Sequence, residues 1–330
     1  MHLDPFELHR PVSLGEAVDL ARTHAGEFDY LAGGTDLLPN YKMHLNVKPH
    51  LIALDRVPEL SGRSPGRIGA MTRLAELEDD PAFLRDYPGV AEAVRSVATP
   101  LVRAGGTVGG NLLVETRCFF FNQSRLWRES LGYCLKAEGD RCHVVPQTTR
   151  CYATFSGDIA PTLLVLGAEA ELAGPEGARR VPLLELYDAE GDGIRRTRMR
   201  TGEILVAVHL PPGARGARAS YRKLRIRPSF DFPEVGIAAA LWGPPDRVER
   251  LALAAGGLET HPRSFPALTD PVAGGALDAP TIDRIAEGVR REVRPVHNTS
   301  LEAAYRKRMA GVFARRALAA LAPRPWGRGA

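Results

Sequence analysis

The sequence lacks several features that would place it quickly. No apolar run approaches the ~18 to 20 residues of a membrane span. The start, MHLDPFELHR, carries neither the basic nor the apolar region of a secretory signal. These two absences lead us to expect a cytoplasmic protein without membrane contact. Net charge is also scarce, with 43 basic against 39 acidic residues, or +4. The arginine-dense stretches GIRRTRMR and YRKLRIR are not long basic runs interleaved with aromatics, so no nucleic-acid partner is expected. No repeat of fixed period is visible, and the one biased tract is the Pro/Gly-rich tail APRPWGRGA, which is expected to fray. Catalytic signatures are missing as well: there is no nucleophile elbow, no H-E-x-x-H and no paired acid and base. The sequence therefore offers no catalytic residue. Cysteine is confined to one span: Cys118, Cys134, Cys142 and Cys151 are the four in 330 residues.

At 330 residues and 44% hydrophobic content the chain can bury at least one full core, and its length suits two or three domains. FDYLAGGTDLL predicts a strand running into a glycine turn, and HLIALDRV a second strand. RIGAMTRLAELEDDP predicts a strand and then a helix, with Thr72 at its start and Pro81 at its end. GVAEAVRSVATP predicts a helix that stops before Pro100. APTLLVLGAEAELAGPEGARRVPLLELY reads as a short apolar helix and two strands joined by GPEG, and EILVAVHLP as a further strand. From ASYRKLRIRPSFDFPEVGIAAALWGPPDRVERLALAAGG the pattern becomes an antiparallel meander, followed by two helices, TIDRIAEGVRREV and SLEAAYRKRMAGVFARRALAALA. The organisation is α+β, with a domain boundary near residue 215 in PPGARGARAS.

Two turns share a design. AGGTDLLP holds Gly33, Gly34, Thr35 and Asp36 directly after a strand, and GGTVGGNLL holds Thr107, Gly109, Gly110 and Asn111. Glycine lets another group approach peptide N–H donors closely, as a phosphate requires, although Gly-Gly-Thr also serves in ordinary tight turns. Neither turn matches G-x-G-x-x-G or the P-loop, which disfavours a nicotinamide Rossmann site and a P-loop hydrolase. Two such turns suit one long anion, a dinucleotide pyrophosphate.

The ordered set LAGGTDLLP, TVGGNLL, SGDIAPTLLVLGAEAEL, GEILVAVHLP and YRKLRIRPSFDFP resembles the FAD-binding subunit of the molybdenum hydroxylase (xanthine dehydrogenase) family over nearly the whole chain. The resemblance implies an FAD-binding domain of the vanillyl-alcohol-oxidase type over 1–215, in two α+β subdomains of about 1–56 and 57–215. A smaller C-terminal α+β domain, with an antiparallel sheet and helices, would follow over 216–330. It places the FAD pyrophosphate on Ala32, Gly33, Gly34, Thr35, Asp36 and Leu37, with Thr107, Gly109, Gly110 and Asn111 as a second cradle. Asp158 would contact the sugar portion of the flavin, and Leu205 and Lys223 would lie near its ring system. A helix N-cap remains an alternative for Asp158, and a surface charge for Lys223.

Asn111 and Asp158 bracket about forty residues that most of the family lacks, an insertion over about 113–155 that contains every cysteine. The spacing C-x15-C-x7-C-x8-C matches neither a zinc ribbon nor a compact ferredoxin run, and four thiolates suit either structural zinc or an iron–sulfur cluster. Phe119, Phe120, Phe121, Trp127, Tyr133, Tyr152 and Phe155 supply aromatic bulk, and Arg117, Arg141 and Arg150 each precede a cysteine, where positive charge would favour thiolates. His143 could be an alternative ligand, but four cysteines already complete a set. This segment resembles the β subunits of the 4-hydroxybenzoyl-CoA reductase subgroup, which implies a 4Fe-4S cluster on the four cysteines beside the FAD. It further implies an oxidoreductase complex, as a dimer of heterotrimers, with a molybdenum-cofactor subunit and a 2Fe-2S subunit. That complex would draw electrons from ferredoxin to dehydroxylate 4-hydroxybenzoyl-CoA to benzoyl-CoA. Two alternatives stand beside this reading: a related molybdenum hydroxylase acting on another aromatic or aryl-CoA substrate, and a nucleotide-binding module with a structural zinc.

Overall fold

The structure, a computed structural model, describes residues 3–187 and 190–322. The tail after residue 322 lies outside the described residues. A small parallel sheet comes first, built from β1 (Glu7–His9), β2 (Phe28–Leu31) and β3 (His50–Ala53) in the order β1-β3-β2. Helix Leu14–Thr23 crosses one face of it, burying Ala17 and Ala21 against Ile52.

The second sheet is antiparallel, with order β4-β5-β8-β6-β7, from β4 (Arg63–Ser64), β5 (Arg67–Gly69), β6 (Glu169–Gly174), β7 (Gly177–Pro182) and β8 (Ile204–His209). Helices run between β5 and β6. The helix expected between Thr72 and Pro81 is the short Leu74–Glu78, which does end before Pro81; a further helix, Pro81–Asp86, follows it, because Asp80 caps it and Pro81 sits at its first position, where a missing N–H costs nothing. Thr72 lies outside the first of these, which Arg73 precedes, and its hydroxyl donates to the Gly62 carbonyl. The next helix, Pro88–Ser96, stops before Pro100, as expected, and Thr99 caps another from Pro100 to Gly105.

The third sheet is the expected meander, β9 (Arg218–Leu224), β10 (Val235–Trp242) and β11 (Arg250–Gly256), with a short β12 (Arg263–Ser264) at its edge. Strand β10 is buried on both faces. Val235, Ile237, Ala239 and Leu241 pack under helices Ala279–Glu292 and Ala303–Ala319, while Ala238 and Ala240 join the core shared with the second sheet. Period-two alternation assigns each residue to one of the two cores. The architecture is thus an α+β domain built on two sheets, followed by a smaller α+β domain. No helix among the described residues is long and apolar enough to cross a membrane.

Candidate functional site

The turn after β2 leads into helix Leu37–Lys42, and the second glycine turn leads into helix Val108–Leu112. The fold presses the two together. A Cβ added at Gly33 would fall 1.9 Å from the Gly105 carbonyl oxygen, so only glycine permits this approach. Gly110 in turn faces Ala32, and the Gly105 backbone faces the Thr35 methyl. Along the first turn the backbone N–H groups of Gly33 to Leu37 donate to no acceptor among the described residues, and Gly33 and Thr35 are exposed. Consecutive unspent donors on an open turn form the concavity that takes an anionic oxygen, so these residues fit a pyrophosphate.

The second turn spends its donors inward. The Gly109 N–H goes to the Ala70 carbonyl at 2.8 Å and the Gly110 N–H to Thr107 Oγ1 at 3.0 Å. Asn111 is a fastener, its Oδ1 accepting from the Ile159 N–H at 3.1 Å. Its carbonyl would lie 2.5 Å from a Cβ at Gly157, so the turn SGD is pinned against the turn GGN.

Behind the turns lies a buried ion pair. Asp158 Oδ2 accepts from Lys223 Nζ at 2.9 Å and Oδ1 from the Tyr221 hydroxyl at 2.8 Å, with both charged side chains almost wholly buried. Lys223 gives its other donors to the carbonyls of Ser96 and Asp231, so all three N–H groups are spent within the protein. Burial raises the Asp158 carboxyl and lowers the Lys223 ammonium, and each charge opposes the shift of the other. Neither alternative read from sequence fits: Asp158 caps no helix, and Lys223 is no surface charge. The pair instead joins the second sheet's domain to β9. Leu205 lies in the core, opposite Leu172 where the register of β6 and β8 shifts.

The cysteine segment leaves the helix Val108–Leu112 and returns through a two-residue bridge between Arg117 and Thr154. Between them regular structure is sparse, with one helix, Arg125–Ser130, and one 3-10 turn, Leu135–Ala137. All four cysteines are buried and line one cavity with Phe120, Phe121, Lys136, His143 and Tyr152. Four thiols on one cavity are a donor set that suits either one structural zinc or an iron–sulfur cluster. Burial pushes the Cys118 thiol up to about 11 and the Cys151 thiol up to about 12, so ionised sulfur there needs a compensating cation. His143 lines the cavity but turns Nε2 to the Tyr133 carbonyl at 2.7 Å. Of the aromatics, Phe119 is exposed and Phe155 belongs to the main core.

The arginines before the cysteines do not line the cavity. Arg141 and Arg150 are exposed, bonded to Asp140 and the Glu190 carbonyl. Arg117 is half-buried and points the other way, pairing with Asp36, donating to Asn40 Oδ1 and stacking 4.6 Å from the Phe232 ring centroid. It thereby ties the residue before Cys118 to the first glycine turn. The cation that does line the cavity is Lys136, a residue the sequence did not single out. Its Nζ lies 2.5 Å from Glu115 and also meets the Thr116 hydroxyl and the Gly193 carbonyl. A lone lysine in YCLKAEG carries no visible signal, because its partners are distant or generic. Asn298 was likewise missed; its amide donates to the Tyr152 carbonyl and its own carbonyl accepts from Phe119 N–H at 2.7 Å. Asn122 Oδ1 accepts from the Cys118 N–H, while its Nδ2 is buried without a partner, an unspent donor beside the thiol segment.

With this geometry in view, similarity to known proteins becomes informative. Residues 4–213 match the FAD binding domain in molybdopterin dehydrogenase, and residues 213–321 the CO dehydrogenase flavoprotein C-terminal domain. The chain is 35% identical over 259 residues to the aldehyde oxidoreductase FAD-binding subunit PaoB of Escherichia coli strain K12, covering 75% of this chain and 80% of that one. It is 28% identical over 317 residues to the carbon monoxide dehydrogenase medium chain of Afipia carboxidovorans, covering 95% of each. The solved carbon monoxide dehydrogenase from Hydrogenophaga pseudoflava superposes with a TM-score of 0.80 at 27% identity, covering 97% of this chain and 98% of that one.

Proposed function

The chain belongs to the molybdopterin dehydrogenase family as its FAD-binding medium subunit, and on that premise we propose that it holds two redox groups, FAD and a 4Fe-4S cluster. Ala32, Gly33, Gly34, Thr35, Asp36 and Leu37 hold the pyrophosphate, and Thr107, Gly109, Gly110 and Asn111 shape the opposite wall. Asp158 and Lys223 support that wall from behind through their ion pair, and Leu205 belongs to the packing beneath it. Cys118, Cys134, Cys142 and Cys151 hold the cluster. When bound, the flavin exchanges electrons singly or in pairs and the cluster exchanges them singly, which provides electron transfer without bond-breaking on a substrate.

The observation that carries this reading is the cavity of four buried thiols on a loop that Arg117 clamps to Asp36. Lys136 sets a positive charge against a site that four thiolates would make strongly negative. The chain works as an oxidoreductase subunit beside a molybdenum-cofactor chain and a 2Fe-2S chain, in a dimer of heterotrimers. From the likeness of the loop, the complex takes electrons from ferredoxin and dehydroxylates 4-hydroxybenzoyl-CoA. A second reading is favoured by the 35% identity to an aldehyde oxidoreductase subunit: the complex oxidises an aldehyde, and electrons leave through this chain. Assaying the purified complex with reduced ferredoxin and 4-hydroxybenzoyl-CoA, and separately with an aromatic aldehyde and an electron acceptor, distinguishes the two. Benzoyl-CoA formation supports the first reading, and aldehyde oxidation without it replaces that reading with the second. In either assay Cys134→Ser is expected to abolish turnover while leaving bound flavin intact; full turnover in that variant would remove the cluster from the electron path.

A further inference from the structure

Three imidazoles meet at the other end of the first sheet. Strands β2 and β3 begin there, opposite the end that carries the glycine turn. Glu7 stands in register with His50, and His9, two residues further along β1, falls on the same face. Helix Leu14–Thr23 covers that face and ends at His24, whose N–H caps it by bonding to the Leu20 carbonyl. Three separate elements thus contribute one histidine each. One ring nitrogen from each of His9, His24 and His50 lies within 4.8 Å of the other two, and all three residues are half-buried.

We propose that His9, His24 and His50 form a binding site for a borderline divalent transition-metal ion such as Zn2+, Cu2+, Ni2+ or Co2+. Two nitrogens bound to one tetrahedral ion at 2.0–2.1 Å stand about 3.3 Å apart. His9 Nε2 and His50 Nδ1 are already 3.1 Å apart. Closing the third nitrogen onto them requires a shift of at most about 1.5 Å, within the reach of side-chain rotation. Neutral imidazole is the preferred protein ligand for these ions. A fourth donor stands alongside: the Glu7 carboxylate is 3.5 Å from His50 Nδ1 and 3.9 Å from His9 Nε2. The helix Leu14–Thr23 also presents its carboxyl-terminal end to this point, and the partial negative charge there favours a cation. The rings already lie close and tilted toward one another, with centroids of His24 and His50 3.8 Å apart at 31° and those of His9 and His24 4.7 Å apart at 33°. An ion held here would staple β1, β3 and the end of the covering helix, a structural function separate from the thiol cavity.

The test uses the full-length chain purified with its cofactors, stripped of loose metal and dialysed against micromolar Zn2+. One zinc per chain is expected to bind, to be lost in His24→Ala and His50→Ala, and to persist in Cys134→Ser. Zinc binding that is unchanged in both histidine variants, or lost in Cys134→Ser, would overturn the proposal and leave the histidines as a packed cluster only. Electron paramagnetic resonance of the wild-type chain with one equivalent of Cu2+ decides the matter even where a variant misfolds. Nitrogen hyperfine structure from at least two imidazoles is expected, and a signal from oxygen or sulfur ligands alone would overturn the assignment.

Discussion

The glycine turns and the cysteine loop lie against one another and are built by opposite means. The turns work by omission: Gly33 and Gly157 carry no Cβ, and the backbone closes to distances that a side chain would forbid. The loop works by attachment. It has little regular structure and is held by side chains that reach across its borders: its own Arg117 on Asp36, Lys136 on Glu115 and Gly193, and Arg128 on the Met43 and His44 carbonyls, with Asn298 coming in from outside onto Tyr152. A site built by omission is intolerant of added volume, and one built by attachment is intolerant of lost partners.

The largest expected effect separates the two at once. Gly33→Val should open the turn against Gly105 and abolish flavin retention on gel filtration, while the thiol loop keeps its metal; flavin bound at wild-type stoichiometry would break the comparison. Lys136→Met should do the reverse. Removing one member of a buried ion pair costs about 3 kcal/mol, so hydrogen exchange over 115–155 should quicken with flavin content unchanged. Acid should act on the same contact. Burial works against the Glu115 carboxylate, but Arg196 and Lys136 outweigh it and hold it down to about 2. Its folded value is depressed, so its contribution is present above about 4.5 and lost as pH falls toward 2. Protection of the loop should fall across that window in the wild type and stay flat in Glu115→Gln. Arg117→Met, which cuts the clamp between the regions, should cost about 2 kcal/mol and weaken flavin and loop together, measured by flavin release and thermal unfolding. The smallest effect belongs to Thr107→Ala, which removes the acceptor of the Gly110 N–H for about 1 kcal/mol, and should lower Tm by about 1 to 2 °C without moving the metal content.

This contrast also explains what was legible in the sequence. Omission leaves a mark: Gly33, Gly34, Gly109 and Gly110 stand out as letters, and the strands and meander follow from period-two alternation. Attachment leaves none. Nothing in YCLKAEG links Lys136 to Gly193, and nothing near Cys118 announces that Arg117 turns away toward Asp36. Adjacency in sequence makes the arginines look like partners of the thiolates, but adjacency on an irregular loop does not fix direction. The sequence shows Asp158 and Lys223 only one at a time, whereas their chemistry lies in facing each other across 65 residues. Pro81 stands beyond the end of one helix and at the first position of the next, and the sequence shows only the first of these roles, since proline suits both places.

The central claim is that the four thiols hold a multi-iron cluster beside a flavin. Its most direct test is elemental analysis of the chain purified without oxygen, for iron, acid-labile sulfide, zinc and flavin, in wild type and in Cys134→Ser. The account predicts about four irons and four sulfides per chain, lost together in Cys134→Ser with flavin retained. One zinc held by the thiols, with no iron or sulfide, would contradict it.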